Sequence, residues 1–105
     1  DQQLVPTGEE TVPVATFLDQ NYPNPFNPIT TITFGLSRDD AVLLQVFDAR
    51  GALVRTLENR VLPAGRHTVG WNGRNDSGRA VSSGIYFCRL KSGMGEITKK
   101  MILLR

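Results

Sequence analysis

The sequence predicts an all-β domain: an antiparallel β-sandwich of about seven short strands with an extended N-terminal arm. Apolar and polar residues alternate with period two in several separate stretches, and turn signals recur roughly every 8–12 residues. Ten Gly and six Pro punctuate a chain in which no long helical periodicity is found. The length, 105 residues, suits one domain large enough to fold without a metal or disulfide scaffold.

Residues 1–16 hold Pro6, Pro13 and a Pro-Thr-Gly turn signal, and read as an extended arm or linker. The domain proper is expected over 17–105. Phe17 to Pro28 is the least ordinary stretch: Pro23, Pro25 and Pro28 fix φ, while Asn21, Asn24 and Asn27 favour Asx-turns. The expected product is a stiff, non-repetitive loop anchored by Tyr22 and Phe26. Such a loop suits a clamp over an open sheet edge better than a free recognition surface.

From Ile29 the alternation is clean, with Ile32, Phe34 and Leu36 on one face of a strand. A polar turn over Ser37–Asp40 leads to a second strand with Val42, Leu44 and Val46 on its core face. Asp48-Ala49-Arg50-Gly51 has type I turn composition, and Ala52–Leu57 forms a third strand. His67, Val69 and Trp71 share a face of the next. Residues 72–84 are rich in Asn, Asp, Ser and Gly and hold at least two turns, one around Asp76-Ser77-Gly78. Ile85–Leu90 is a further strand, Lys91–Gly95 a hairpin loop, and Glu96–Leu104 the last strand. There the adjacent Lys99 and Lys100 suggest a bulge or an edge.

Net charge is +2, divided as −5 over residues 1–40 and +7 over 41–105. The basic residues are dispersed among strands and turns with no interleaved stacking aromatics, which argues against nucleic acid as a partner. No apolar run approaches the ~20 residues of a membrane-spanning helix, and no signal peptide is legible. Opening on Asp1, the chain reads as processed or excised from a longer protein.

Few residues suit catalysis. The lone Cys88 excludes an internal disulfide and a cysteine-based zinc site, and it lies in a strand of large apolar residues as a core hydrophobe does. The single histidine, His67, reads as a half-buried sheet residue. Asp39 with Asp40, and Glu9 with Glu10, point apart on extended chain. Asn72, Asn75 and Asp76 offer oxygen ligands in one loop, but with one charge among them a metal-free turn is favoured over a calcium site. No catalytic residue, metal or cofactor is therefore assigned. A sugar-binding module would need exposed aromatics such as Tyr22 or Phe26.

The strings NYPNPFNPITTITFGL, VFDARGALVRTL, LPAGRHTVGWNGRNDSGRAVSSGIYFCRL and ITKKMILL together resemble the C-terminal sorting domains (type A) of the type IX secretion system. They are also similar to the related Ig-like domain of flagellar hook-capping proteins. Pro23-Asn24-Pro25, Gly84-Ile85-Tyr86 and Lys99-Lys100 carry the likeness, which covers residues 17–105. The resemblance implies a seven-stranded Ig-like sandwich, exported through the periplasm to the cell surface or beyond. It would be non-catalytic, attached to an upstream cargo and read by outer-membrane secretion machinery. Pro23, Asn24, Pro25, Gly84, Ile85, Tyr86, Lys99 and Lys100 are then the expected recognition residues. The alternative is a structural subunit of an extracellular surface fibre. In that case the acidic arm over residues 1–16 would be donated as a strand to a neighbouring copy, forming a homo-oligomer.

Overall fold

A computed structural model describes residues 12–105. Seven strands follow one another: β1 (Phe17–Leu18), β2 (Thr30–Leu36), β3 (Asp40–Asp48), β4 (Leu53–Leu62), β5 (Gly65–Trp71), β6 (Gly84–Ser92) and β7 (Gly95–Leu103). They form two antiparallel sheets, β1-β2-β5 and β4-β3-β6-β7. This is an Ig-like sandwich. Among the described residues there is no helix. The expected arm falls mostly on residues outside those described. Residues 12–16 carry no strand, and Thr16 Oγ1 accepts the Ser37 N–H at 3.3 Å.

The period-two pattern sets the core. Ile32, Phe34 and Leu36 of β2 face Val42, Leu44 and Val46 of β3 and Tyr86, Cys88 and Leu90 of β6, all buried. Trp71, at the end of β5, lies between Phe26 (centroids 5.6 Å apart, 55° between planes) and Tyr86 (5.4 Å, 70°). Its Nε1–H donates to the Arg74 carbonyl at 2.9 Å, so the one polar atom of the ring is satisfied. The ring of Phe17 lies where a Cβ on Gly35, its partner in β2, would stand, so this glycine makes room for the aromatic of the first strand.

Several boundaries differ from expectation. The third expected strand, Ala52–Leu57, runs instead from Leu53 to Leu62, because β3 and β4 keep pairing through two register shifts. The hairpin loop expected over Lys91–Gly95 shrinks to Gly93–Met94, since Ser92 pairs with Gly95. Of the two readings of the adjacent lysines, the edge holds, since β7 is the outer strand of its sheet, and the bulge does not: Cys88↔Lys99 and Phe87↔Lys100 are successive pairs of an unbroken ladder. Lys99 therefore shares the inner face with Ile97, Met101 and Leu103, while Lys100 points outward. Tyr22 is no core anchor, being 80% exposed, whereas Phe26 is buried. The Asp48 turn forms as expected. Gly51 donates to the Asp48 carbonyl at 3.0 Å and takes φ +89°, and the Asp48 carboxylate accepts from the N–H groups of Ala52 and Arg50, which lowers its pKa.

Cys88 and His67 occupy different sheets. The His67 ring stacks on Phe34 (5.4 Å, 27°) and its Nε2–H donates to the Pro63 carbonyl at 2.8 Å. Burial pushes the Cys88 thiol up to about 12, so it stays protonated at neutral pH and is no nucleophile.

Two outcomes follow from this packing. Phe26→Ala should cost about 3–5 kcal/mol in urea unfolding, whereas Tyr22→Ala should stay within about 0.5 kcal/mol. Equal costs would mean that Phe26 does not anchor the loop. For Cys88 the folded pKa lies above the unfolded one, so the unfolded chain releases its proton first as pH rises past 9. Stability relative to Cys88→Val should then fall by about 1.4 kcal/mol per pH unit between pH 9 and 12. A flat difference would show the thiol to be solvated.

Candidate functional site

The three motif blocks come from distant parts of the sequence and meet at one place, the C-terminal half of β7. Gly84, Ile85 and Tyr86 pair with Leu103, Ile102 and Met101. From the opposite side, the Asn-Pro loop runs along the outer edge of the same residues. Phe26 donates its N–H to the Ile102 carbonyl at 2.9 Å, and its own carbonyl accepts the Leu104 N–H at 2.9 Å. Asn24 Oδ1 accepts the Ile102 N–H at 2.9 Å, and Gln20 Nε2 donates to the Lys100 carbonyl at 2.6 Å. The loop is thus the edge clamp that its composition suggested.

A buried polar bracket holds that clamp in shape. Asn21 Nδ2 donates to Thr30 Oγ1 at 2.9 Å and to the Pro23 carbonyl at 3.1 Å, and Thr30 Oγ1 donates to the same carbonyl at 2.8 Å. Asn21 Oδ1 accepts from Gln20 at 2.8 Å. Both Asn21 and Thr30 are buried, and their mutual satisfaction makes that burial tolerable. The three X–Pro bonds of the loop, before Pro23, Pro25 and Pro28, are cis. Pro23, Asn24 and Pro25 are exposed.

The remaining motif residues divide by what they touch. Tyr86 is buried, and its hydroxyl donates to the Ser82 carbonyl, four residues upstream, at 2.7 Å. That is the tyrosine corner of Ig-like sandwiches, which fixes how the chain enters the strand. Its side chain therefore shapes the site from within. Gly84 has φ +155° with open space where a side chain would project. Ile85 is exposed on the outer face beside Ile102. Lys99 and Lys100 stand just above the clamped segment, and neither has a carboxylate within 4 Å among the described residues.

The loop over residues 72–84 seals another margin. Asp76 donates its N–H to the Val54 carbonyl at 3.0 Å and its Oδ1 accepts the Thr56 N–H at 3.0 Å, bridging the outer edge of β4. Asn75 Oδ1 accepts from Ser77 N and Oγ and from Arg79 N, and Asn72 Oδ1 from Arg74 N. The oxygens considered for a cation are thus engaged in holding turns. Arg105 ties this loop to the end of β7, donating to the carbonyls of Val81 and Gly73 at 2.5 Å each, while its N–H bonds Ser83 Oγ at 2.8 Å. Neither this role nor those of Gln20, Asn21 and Thr30 was visible in the sequence. Gln20 and Arg105 meet partners far along the chain, while Asn21 and Thr30, the first residue of β2, meet across the loop in a contact that alternation does not reveal.

The fold recurs in solved proteins of Porphyromonas gingivalis. One is PorZ, described as an essential bacterial surface component of the type IX secretion system. It is similar over 86% of this chain with 22% identity and a TM-score of 0.58. Another is dimeric latent PorU, similar over 85% of this chain with 23% identity and a TM-score of 0.59. The chain spans 11% and 9% of the lengths of those two proteins, so each shares with it one small part, and the likeness is one of fold. No curated protein matches the sequence. Over residues 28–95 the sequence matches the FlgD Ig-like domain, and the chain belongs to that family.

Proposed function

We propose that this chain is a non-catalytic sorting module of the type IX secretion system, a type A C-terminal domain recognised by outer-membrane machinery. The observation that carries the reading is the convergence of three motif blocks on β7. Asn24 caps the Ile102 N–H, Gly84 and Tyr86 pair with Leu103 and Met101, and Lys99 and Lys100 continue the same strand. Residues used only for packing would be spread through the two layers. Here they border one surface, with Pro23, Asn24, Pro25, Ile85 and Lys100 accessible on it. The similar domains in PorZ and PorU agree with an association with that secretion system. Their setting also agrees with a cell-envelope or extracellular location. On this reading the module acts by being gripped, and the cargo it accompanies supplies any chemistry.

Fusing the chain to a periplasm-directed reporter should carry the reporter across the outer membrane of a type IX host. Replacing Lys99 and Lys100 together by Ala should leave the melting curve within about 0.5 kcal/mol of the parent, since neither lysine is buried. The same replacement should hold the reporter in the periplasm. Unchanged secretion of the double variant would reject the role of the two lysines, and no secretion of the parent fusion would reject the sorting reading itself.

A further inference from the structure

We propose that the N-terminal half of the β7 edge, Glu96 to Lys100, binds an extended acidic segment of a partner protein, which adds to the sheet as a further strand. The hairpin register decides which backbone groups are available. Ser92 and Gly95 close a two-residue loop, so Gly95, Ile97, Lys99, Met101 and Leu103 bond to β6. Glu96, Thr98, Lys100 and Ile102 then turn their N–H and C=O groups to the outer edge. The clamp meets this row only from the Lys100 carbonyl onward, through Gln20, Asn24 and Phe26. The N–H and C=O of Glu96 and Thr98, and the N–H of Lys100, receive no bond from any described residue. Five residues of unpaired strand edge, about 17 Å long, are enough to template a short added strand.

Charge selects the occupant. Residues opposite one another across paired strands share a face at about 4.5–5.5 Å. Two consecutive acidic residues in an added strand would meet Lys99 on the inner face and Lys100 on the outer. An apolar residue two places along would cover Ile97. That side chain borders a cavity of about 250 Å³ lined also by Val14, Thr16, Leu90 and Met94. Lysines on an edge also discourage neutral strands from pairing there, and the same charges admit an acidic strand and repel a basic one. The other edges differ. On β4, Asp76 bridges Val54 and Thr56 and Arg60 faces Glu58 at 3.0 Å, and on β5 Arg66 faces Asp19 at 3.8 Å while His67 bonds the Pro63 carbonyl. The Lys91 ammonium already faces Glu96 at 3.8 Å, which leaves Lys99 and Lys100 as the cations flanking the open stretch.

The proposal deepens the sorting reading by naming how a partner would hold β7, and it is tested without export. The probe is a synthetic octapeptide with two adjacent glutamates between threonine and valine residues, titrated into the isotope-labelled full chain. The expected result is protection from exchange at the amides of Glu96, Thr98 and Lys100, with little change elsewhere. Thr98→Pro, which removes an outward N–H that an edge strand can lose, should weaken binding at least tenfold. Should that variant fail to fold, Lys99→Glu with Lys100→Glu serves instead: it should lose the glutamate peptide and gain its dilysine counterpart. Equal binding of the two peptides by the parent chain, or binding indifferent to these variants, would overturn the proposal. So would self-association of the free chain through the same amides, which would make a second copy the occupant. A reporter that is exported while the peptide fails to bind would remove the edge proposal and leave the sorting reading standing.

Discussion

The structure depends on how Trp71 is held. Its ring joins three pieces that the chain brings from far apart: Phe26 of the loop, Tyr86 at the start of β6, and the Arg74 carbonyl of the long turn-rich segment. Each piece has a second commitment. Phe26 bonds β7 through its backbone, Tyr86 bonds Ser82, and the segment after Arg74 reaches β4 through Asp76. One buried indole therefore couples the closure of the sandwich to the shape of its margins. The aromatic cluster fixes the end of the sandwich where the irregular segments meet.

An open sandwich has edges, and an edge is a standing invitation to pair. This chain manages the problem with side chains and loops in place of further strands. Asn24 and Phe26 finish the lower half of β7, Asp76 finishes part of β4, and Phe17 covers Gly35 where the first strand is only two residues long. The proline-rich loop suits this task because three of its N–H groups are missing, that of Phe26 is aimed at β7, and that of Tyr22 ties the loop back to Thr31 of β2. Its turn is held internally by Asn21 and Thr30, so it approaches the strand as a preformed bar.

Much of this was legible in the sequence, because period-two alternation and turn composition act over a few residues. The core faces of β2 and β3, the Asp48 turn and the clamp all followed from local patterns. The length of β4 did not, because it rests on pairing with β3 through two register shifts and continues past its apolar stretch into Glu58, Asn59 and Arg60. The adjacent lysines suggested a bulge or an edge because one of them had to face inward, and β7 is indeed the edge strand of its sheet. The ladder accepts Lys99 on the inner face near the open margin of the sandwich, where a long side chain can stay partly solvated. Tyr22 and Phe26 looked equivalent, and their different fates follow from position. The backbone of Tyr22 bridges Thr31 and turns its ring outward, while that of Phe26 bridges Leu103 and turns its ring beneath Trp71.

The motif residues fall into two groups, and the division bears on what a recognition surface made from them has to be. Tyr86 and Gly84 act on the backbone, through a buried hydroxyl and an open glycine, and offer a partner no side chain of their own. Pro23, Asn24, Pro25, Ile85 and Lys100 are reachable from outside, yet their positions depend on the first group. Asn24 stands at Ile102 only while the clamp is closed, and Ile85 lies beside Ile102 only while Gly84 and Tyr86 set the entry to β6. In an unfolded chain, Asn24 and Ile85 are 61 positions apart, and Ile85 and Lys100 a further 15, along flexible polymer. A partner that contacts them together must therefore meet the folded sandwich, and its affinity is bounded by the stability of the clamp as well as by the contacts it makes.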